Sequence, residues 1–391
     1  MNNITTFQDS KPHFVILDGL RGAAALMVVW YHVFEGFAFA AGSAITTFNH
    51  GYLAVDFFFM LSGFVIAYAY DNRWKASGSS RLTMGGFFKR RLIRLHPMVI
   101  MGAVIGAITF LLGGSIKWDG SQTQPIWIIV ALLMGMFLIP AYPGAGYDVR
   151  GNGEMYSLNG PSWSLFFEYL GNVMYALFIR RLSGKWLAAL VAVMGTLLGW
   201  YAIADVSTYG MIGVGWTLDA VNFFGGFIRM MFPFSLGILL WQIFRPIKIG
   251  NGIFWVAAAL LFAVFSVPYI PASGGICLNG VYEIACITIV FPAILWLGAS
   301  SAMGCSSSGN HSAFAGVTDR LCRFLGELSY PLYIVHYPVM YLFYQWLIKE
   351  KIYTLGECPA VVIGVMVLCI LLAYACLKLY DQPIRKWLGR K

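Results

Sequence analysis

Arg21 and His32 stand eleven residues apart in the apolar stretch FVILDGLRGAAALMVVWYHVFEGFAFA, residues 14–40. At 100° per residue that spacing is three turns plus about 20°, so on a helix the two side chains share a face. Asp18 and Glu35 fall within roughly 60° of the same line, making one stripe of four ionisable groups. Such groups inside a bilayer are costly and face a protein interior or a watery cavity. A helix entering near Phe14 places Arg21 about 10 Å deep and His32 about 27 Å deep. A histidine there can take a proton from a hydroxyl, since its unperturbed pKa is about 6.5. Glu35, three residues on, can orient the imidazole. The stripe also has a structural reading, with Asp18 and Arg21 as an ion pair and His32 as a satisfied core residue.

Three further groups could join such chemistry. Lys89, Arg90, Arg91 and Arg94 lie together, and on a helix Arg90 and Arg91 share a face with Arg94. Guanidinium groups bind phosphates bidentately, although a basic run is also what a short cytoplasmic loop carries. The segment GPSWSLFFEYLG, residues 160–171, offers Trp163, Ser164 and Glu168. A Gly-Pro turn opening a helix leaves free N–H groups suited to a carbonyl or oxyanion. This is no GxSxG elbow, so Ser164 is not read as a nucleophile. Glu168 can equally pair with an arginine. Late in the chain, Ser329, Tyr330, Tyr333 and His336 recur at helical spacing, as a polar cavity lining or as hydrogen bonds between helices. Asp56 and Arg229 are further intramembrane charges that need partners. Seven cysteines show no CxxC pair and no zinc spacing. Cys277 and Cys358 are the two that an oxidising compartment could join, and the rest read as small hydrophobes. No metal site is expected.

The elements that must position these residues are membrane helices. The 391 residues are 59% hydrophobic and 11% charged, with mean hydropathy +0.72, whereas soluble domains are about 25% charged. Apolar segments are read at 14–40, 52–70, 93–113, 125–142, 163–180, 186–203, 223–244, 252–270, 280–300, 327–348 and 359–380. They are too continuous for alternating barrel strands. The net charge of +9 sits in short loops, which fits positive-inside topology and not nucleic-acid binding. Basic loops at 71–94, 180–185, 245–248, 320–323 and 385–391 give ten crossings with both termini cytoplasmic. Either 125–142 or 163–180 must then be re-entrant or peripheral. The shorter 125–142, bounded by Pro125 and Pro140, is the one expected to fail. Ala38-Phe39-Ala40 mimics a cleavage site, but the stretch before it is too long and too charged for a signal peptide. The stretches 77–80 and 301–316 read as linkers. One domain is expected over 1–391, all-α, a polytopic bundle.

The string LDGLRGAAALMVVWYH followed by GYLAVDFFFMLSGFVIAYAY resembles the acyltransferase-3 family of membrane acyltransferases. So do FFKRRLIRLHP, GPSWSLFFEYLGNVMYALF, LGELSYPLYIVHYP and the closing YDQPIRKWL, in order along nearly the whole chain. The family's arginine followed after ten residues by histidine stands here as Arg21 and His32. The resemblance implies ten spans in a bacterial inner membrane. It implies transfer of an acyl group, commonly acetyl from acetyl-CoA, to a hydroxyl of an extracytoplasmic carbohydrate or lipid-linked glycan, with no permanently bound cofactor. The resemblance points to His32 and Arg21 for catalysis and to Arg91 and Arg94 for the donor; the reading of the residues adds Glu35 and Glu168 to the first set and Arg90 to the second. Asp18, Asp56, Trp163, Ser164, Tyr333 and His336 are left for the substrates. His96 before Pro97 departs from the family's pattern. Partners would be the acyl-CoA, the glycan and membrane lipid. Intramembrane charges also make proton relays, so a proton-coupled transporter or glycan exporter is the rival reading, although no internal repeat of the kind many transporters show is visible.

Overall fold

Apolar runs of twenty residues satisfy every backbone polar group internally only as helices, and helices are what this chain forms. The computed structural model describes residues 13–42, 49–78, 81–250, 252–304 and 313–390. Part of the loop after residue 40, the end of the 77–80 stretch, residues 305–312 of the 301–316 linker and Lys391 lie outside the described residues. Within them run α1 (Val15–Ala40), α2 (Ala54–Lys75), α3 (Met84–Leu112), α4 (Pro125–Met136), α5 (Ser162–Leu177), α6 (Gly184–Ile203) and α7 (Ala220–Ile243). There follow α8 (Ile253–Ser266), α9 (Leu278–Ala285), α10 (Phe291–Gly304), α11 (Ala313–Glu350), α12 (Pro359–Cys376) and α13 (Gln382–Gly389). The described residues contain no β-strand, only isolated bridges such as that between Glu154 and Thr217.

Seven helical stretches are long and apolar enough to cross a membrane: 15–40, 51–75, 84–112, 184–203, 220–243, 278–301 and 359–389. The molecule is an all-α polytopic bundle. At 12 residues α4 rises about 18 Å, and α8 at 14 residues about 21 Å. Both fall short of a hydrocarbon core of roughly 30 Å. Long α11, with 38 residues, reaches about 57 Å but is the more polar for carrying five tyrosines between 330 and 344.

Two close helix crossings set the frame. α1 lies along α11, the most extensive contact in the molecule, and the approach depends on small residues. A Cβ on Gly22 would sit 2.5 Å from the Leu325 carbonyl oxygen, and one on Gly326 would sit 2.5 Å from Asp18 Cβ. α2 crosses α7 as tightly: a Cβ on Gly63 would lie 2.0 Å from the Phe234 carbonyl oxygen. In lipid, where apolar burial gives helices no reason to associate, such close packing and polar contacts do the joining. At the α2–α7 crossing the polar contact is Asp56 with Arg229, both essentially fully buried.

α11 is opened locally by Pro331 and Pro338. Proline lacks an N–H, so Pro338 leaves the carbonyl of Ile334 without its helical donor. Asn159 Nδ2 supplies one at 3.1 Å. That bond pins the segment before α5 against the middle of α11. The rest of this loop is folded on Asp148, whose carboxylate accepts from the backbone N–H groups of Gly144, Gly151 and Gly153.

Candidate active site

α1 and α11 run side by side, so residues at matching depth on the two helices meet. His32 Nδ1 lies 2.7 Å from Glu35 Oε2. A carboxylate accepts, so Nδ1 holds the proton and Nε2 keeps its lone pair. Glu35 Oε2 also receives the hydroxyls of Tyr344 at 2.8 Å and Tyr337 at 3.2 Å. The Tyr344 hydroxyl is also 2.7 Å from the His32 carbonyl oxygen. His32 and Glu35 side chains keep 14% and 11% of their surface, so the imidazole is enclosed without being sealed. A histidine oriented by a carboxylate, with its far nitrogen open, is built to take a proton from a hydroxyl and to hold the resulting charge.

The helix face continues on both sides of this pair. The His336 ring lies 5.2 Å from that of His32, and one turn earlier the Tyr333 hydroxyl is 2.7 Å from Ser164 Oγ. Ser164 Oγ donates to the Pro161 carbonyl at 2.9 Å. The structure thus brings His336 to the histidine that the sequence singled out, and links Ser164 to Tyr333, whose ring lies 6.0 Å from that of His336. It divides the stripe of four, however. Asp18 and Arg21 pair with each other at 3.4 Å, about 16 Å along α1 from His32. Arg21 is further held by Ser329 Oγ at 2.8 Å and the Gly326 carbonyl at 2.7 Å.

Near that basic end, α3 presents its arginines in different ways. Arg91 is buried and donates to Glu168 Oε1 at 2.8 Å, which also accepts from Ser62 at 3.0 Å. Its Nε has no hydrogen-bond partner among the described residues. Arg94 is exposed and Arg90 half-buried. The Tyr330 hydroxyl donates to the Leu95 carbonyl at 2.7 Å, which fixes α3 beside α11 at this level. His96 faces Tyr169 at 3.4 Å and lines an apolar groove of about 750 Å³ between α3 and α13.

Asp56 and Trp163 belong to a different set of contacts. Both Asp56 oxygens accept from Arg229 at 2.9–3.2 Å, whose guanidinium also bonds the Tyr52 and Val214 carbonyls. It lies 5.3 Å from the Trp163 ring. Beyond it, Glu283 accepts from the Tyr52 hydroxyl, the Ile212 N–H and Asn279. Cys277 and Cys358 are free thiols, and no metal-binding cluster occurs among the described residues.

Several of these contacts were not foreseen. Tyr337 and Tyr344 complete the shell of Glu35, and the signal for them was present, since tyrosines recur at 330, 333, 337, 341 and 344 at helical spacing. Arg150 and Glu154 gave no signal, because only the loop's fold brings them to α11. The Arg150 guanidinium stacks 3.5 Å above the Tyr341 ring, and the Tyr341 hydroxyl donates to Glu154. Burial pushes the Glu154 carboxyl up to about 7, against the opposing pull of Tyr341 and Arg150.

A bundle of membrane-crossing helices that encloses a carboxylate-backed histidine, with arginines toward one end, is the frame of a polytopic membrane protein. The family described as the acyltransferase domain, acyltransferase-3, matches residues 14–375, and the chain belongs to it. It is an acyltransferase (EC 2.3.1.-). The chain is 34% identical to protein 2 in the picA locus of Rhizobium radiobacter, over 49% of this chain and 95% of that one. It is 26% identical to acyltransferase MdmB of Streptomyces mycarofaciens, over 96% and 92%. A shorter match, 33% identical, links 26% of it to 15% of peptidoglycan O-acetyltransferase OatA of Listeria monocytogenes. No solved structure matches the chain.

Proposed function

We propose that this acyltransferase moves an acyl group, acetyl first among them, from acyl-CoA to a hydroxyl of an extracytoplasmic carbohydrate. It would act as a single domain in the bacterial inner membrane with both termini cytoplasmic. The observation that carries the reading is the His32–Glu35 pair, enclosed in the bundle and about 16 Å along α1 from Arg21. Donor phosphates would rest on Arg94, Arg90 and Arg91, with the long pantetheine arm following α1 and α11 toward His32. Family membership and the likeness to the Listeria peptidoglycan O-acetyltransferase support acetyl transfer to a glycan.

In this reading His32 Nε2 takes the hydroxyl proton as the oxygen attacks the thioester carbon. Glu35 steadies the imidazolium, and the departing thiolate recovers the proton as CoA thiol. Protons balance, and His32 ends neutral. Ser164 and Tyr333 lie where a thioester arriving from the arginine side would pass. Asp18 and Arg21, the latter bonded to Ser329 Oγ and the Gly326 carbonyl of α11, would hold the entrance between α1 and α11.

The test is purified protein in nanodiscs with radiolabelled acetyl-CoA and a cell-surface glycan fraction. Release of CoA that requires the glycan, with label appearing in an alkali-labile ester, is the expected result. Label transfer to no glycan would overturn the acceptor, and no consumption of any acyl-CoA would overturn the donor.

A further inference from the structure

His336 is fully buried, and its partners fix its chemistry. Nδ1 is 3.1 Å from the Leu332 carbonyl oxygen. A carbonyl can only accept, so Nδ1 carries the proton and Nε2 is an acceptor. That Nε2 is buried with no hydrogen-bond partner among the described residues. Buried acceptors in folded proteins nearly always have a donor, and in a membrane interior bulk water does not supply one. The ring lies 5.2 Å from His32 with planes inclined by 31°, so the unused acceptor belongs to the reaction centre.

The two histidines differ in what stands behind them. His32 has the Glu35 carboxylate on Nδ1, whereas His336 has only the neutral Leu332 carbonyl there. A reacting hydroxyl has one proton, and it goes to His32. His336 Nε2 must therefore be met by another donor. Sugars carry a second hydroxyl on the adjoining ring carbon, and two adjacent hydroxyls suit two neighbouring imidazoles. We infer that His336 Nε2 accepts a hydrogen bond from the hydroxyl next to the one acylated, so that the site selects acceptors with two adjacent hydroxyls. The inference rests on the carbohydrate-acceptor reading above. A site built to bond a substrate hydroxyl discriminates strongly against an analogue lacking it, because its own polar group is left unpaired.

The experiment uses the full chain in nanodiscs, radiolabelled acetyl-CoA, and methyl glucoside, galactoside and mannoside with their monodeoxy analogues. For the wild type, deleting the hydroxyl beside the acylated position should lower kcat/KM by about 10²–10⁴-fold. In His336→Leu the parent and that deoxy sugar should be used within about 3-fold of each other. His336→Gln, which keeps an acceptor, should retain part of the discrimination, and it keeps the test open should the leucine variant not fold. The same deoxy penalty in His336→Leu as in wild type would overturn the inference, leaving Nε2 to a bound water. A raised KM for acetyl-CoA with sugar discrimination intact would overturn it in favour of the donor's amide N–H. If no parent sugar is acylated while the glycan fraction is, the two-hydroxyl inference fails but the carbohydrate reading stands. If neither is acylated, that reading fails first.

Discussion

Glu35 gathers three donors on one carboxylate oxygen, from His32, Tyr337 and Tyr344, and in the proposed mechanism His32 is replaceable in shape but not in chemistry. His32→Gln keeps a side chain that can still bond Glu35, yet cannot take a proton. Transfer should fall by about 10²–10⁴-fold, the usual worth of a general base, while insertion and thermal stability stay near wild type. Initial rates with acetyl-CoA, beside a melting curve, separate the two. Near-normal rates in a well-folded variant would make His32 structural. Glu154 offers a second test. Its folded-state pKa of about 7 lies above the ordinary 4.5, so the folded protein holds a proton that the unfolded chain releases. That contribution is full below pH 4.5 and is lost as pH rises through 7. Melting temperature should therefore decline across that window, and Glu154→Gln should flatten the decline. Arg21, His32 and Glu35 were legible because helical spacing places them on one stripe. Arg150, Glu154 and Asn159 were not, since they sit on a loop whose path is set by Asp148 and has no period to read.

The helices themselves were legible because long apolar runs in a membrane have a single backbone solution. Their pairings were not. Nothing in the spacing of Asp56 or Arg229 says that they meet, and the reason they do is the α2–α7 crossing. That crossing has a glycine on each helix: Gly63 against the Phe234 carbonyl, and Gly237 against the Met60 carbonyl at the same 2.0 Å. Backbone atoms cannot step aside as a flexible side chain can. Gly63→Ala should destabilise the protein by about 1–3 kcal/mol, the usual cost of overpacking, and lower its melting temperature. Gly199→Ala in α6, where nothing lies within 4 Å of the added carbon, is the control and should be neutral or stabilising. Equal melting temperatures for the two variants would mean that the crossing yields to an added methyl group.

At the scale of the whole molecule, the loop charges predict that both ends face the cytoplasm. A reporter fused after the last residue should be active in a cytoplasm-dependent assay, and periplasmic activity would sink the ten-crossing count. The same scale shows where the site comes from. Glu35 and Tyr337 are 302 residues apart, and Arg21 and Ser329 are 308 apart. Ribosomes add about 5–20 residues per second, so α1 waits roughly 15–60 s for α11 to be made. Throughout that interval its arginine, histidine and carboxylates have only each other, without the Ser329, Gly326, Tyr337 and Tyr344 groups of α11 that complete their hydrogen bonding. The nascent chain must therefore be sheltered by the insertion machinery or watched by membrane proteases, and a chain stalled before residue 313 should be cleared faster than the finished enzyme.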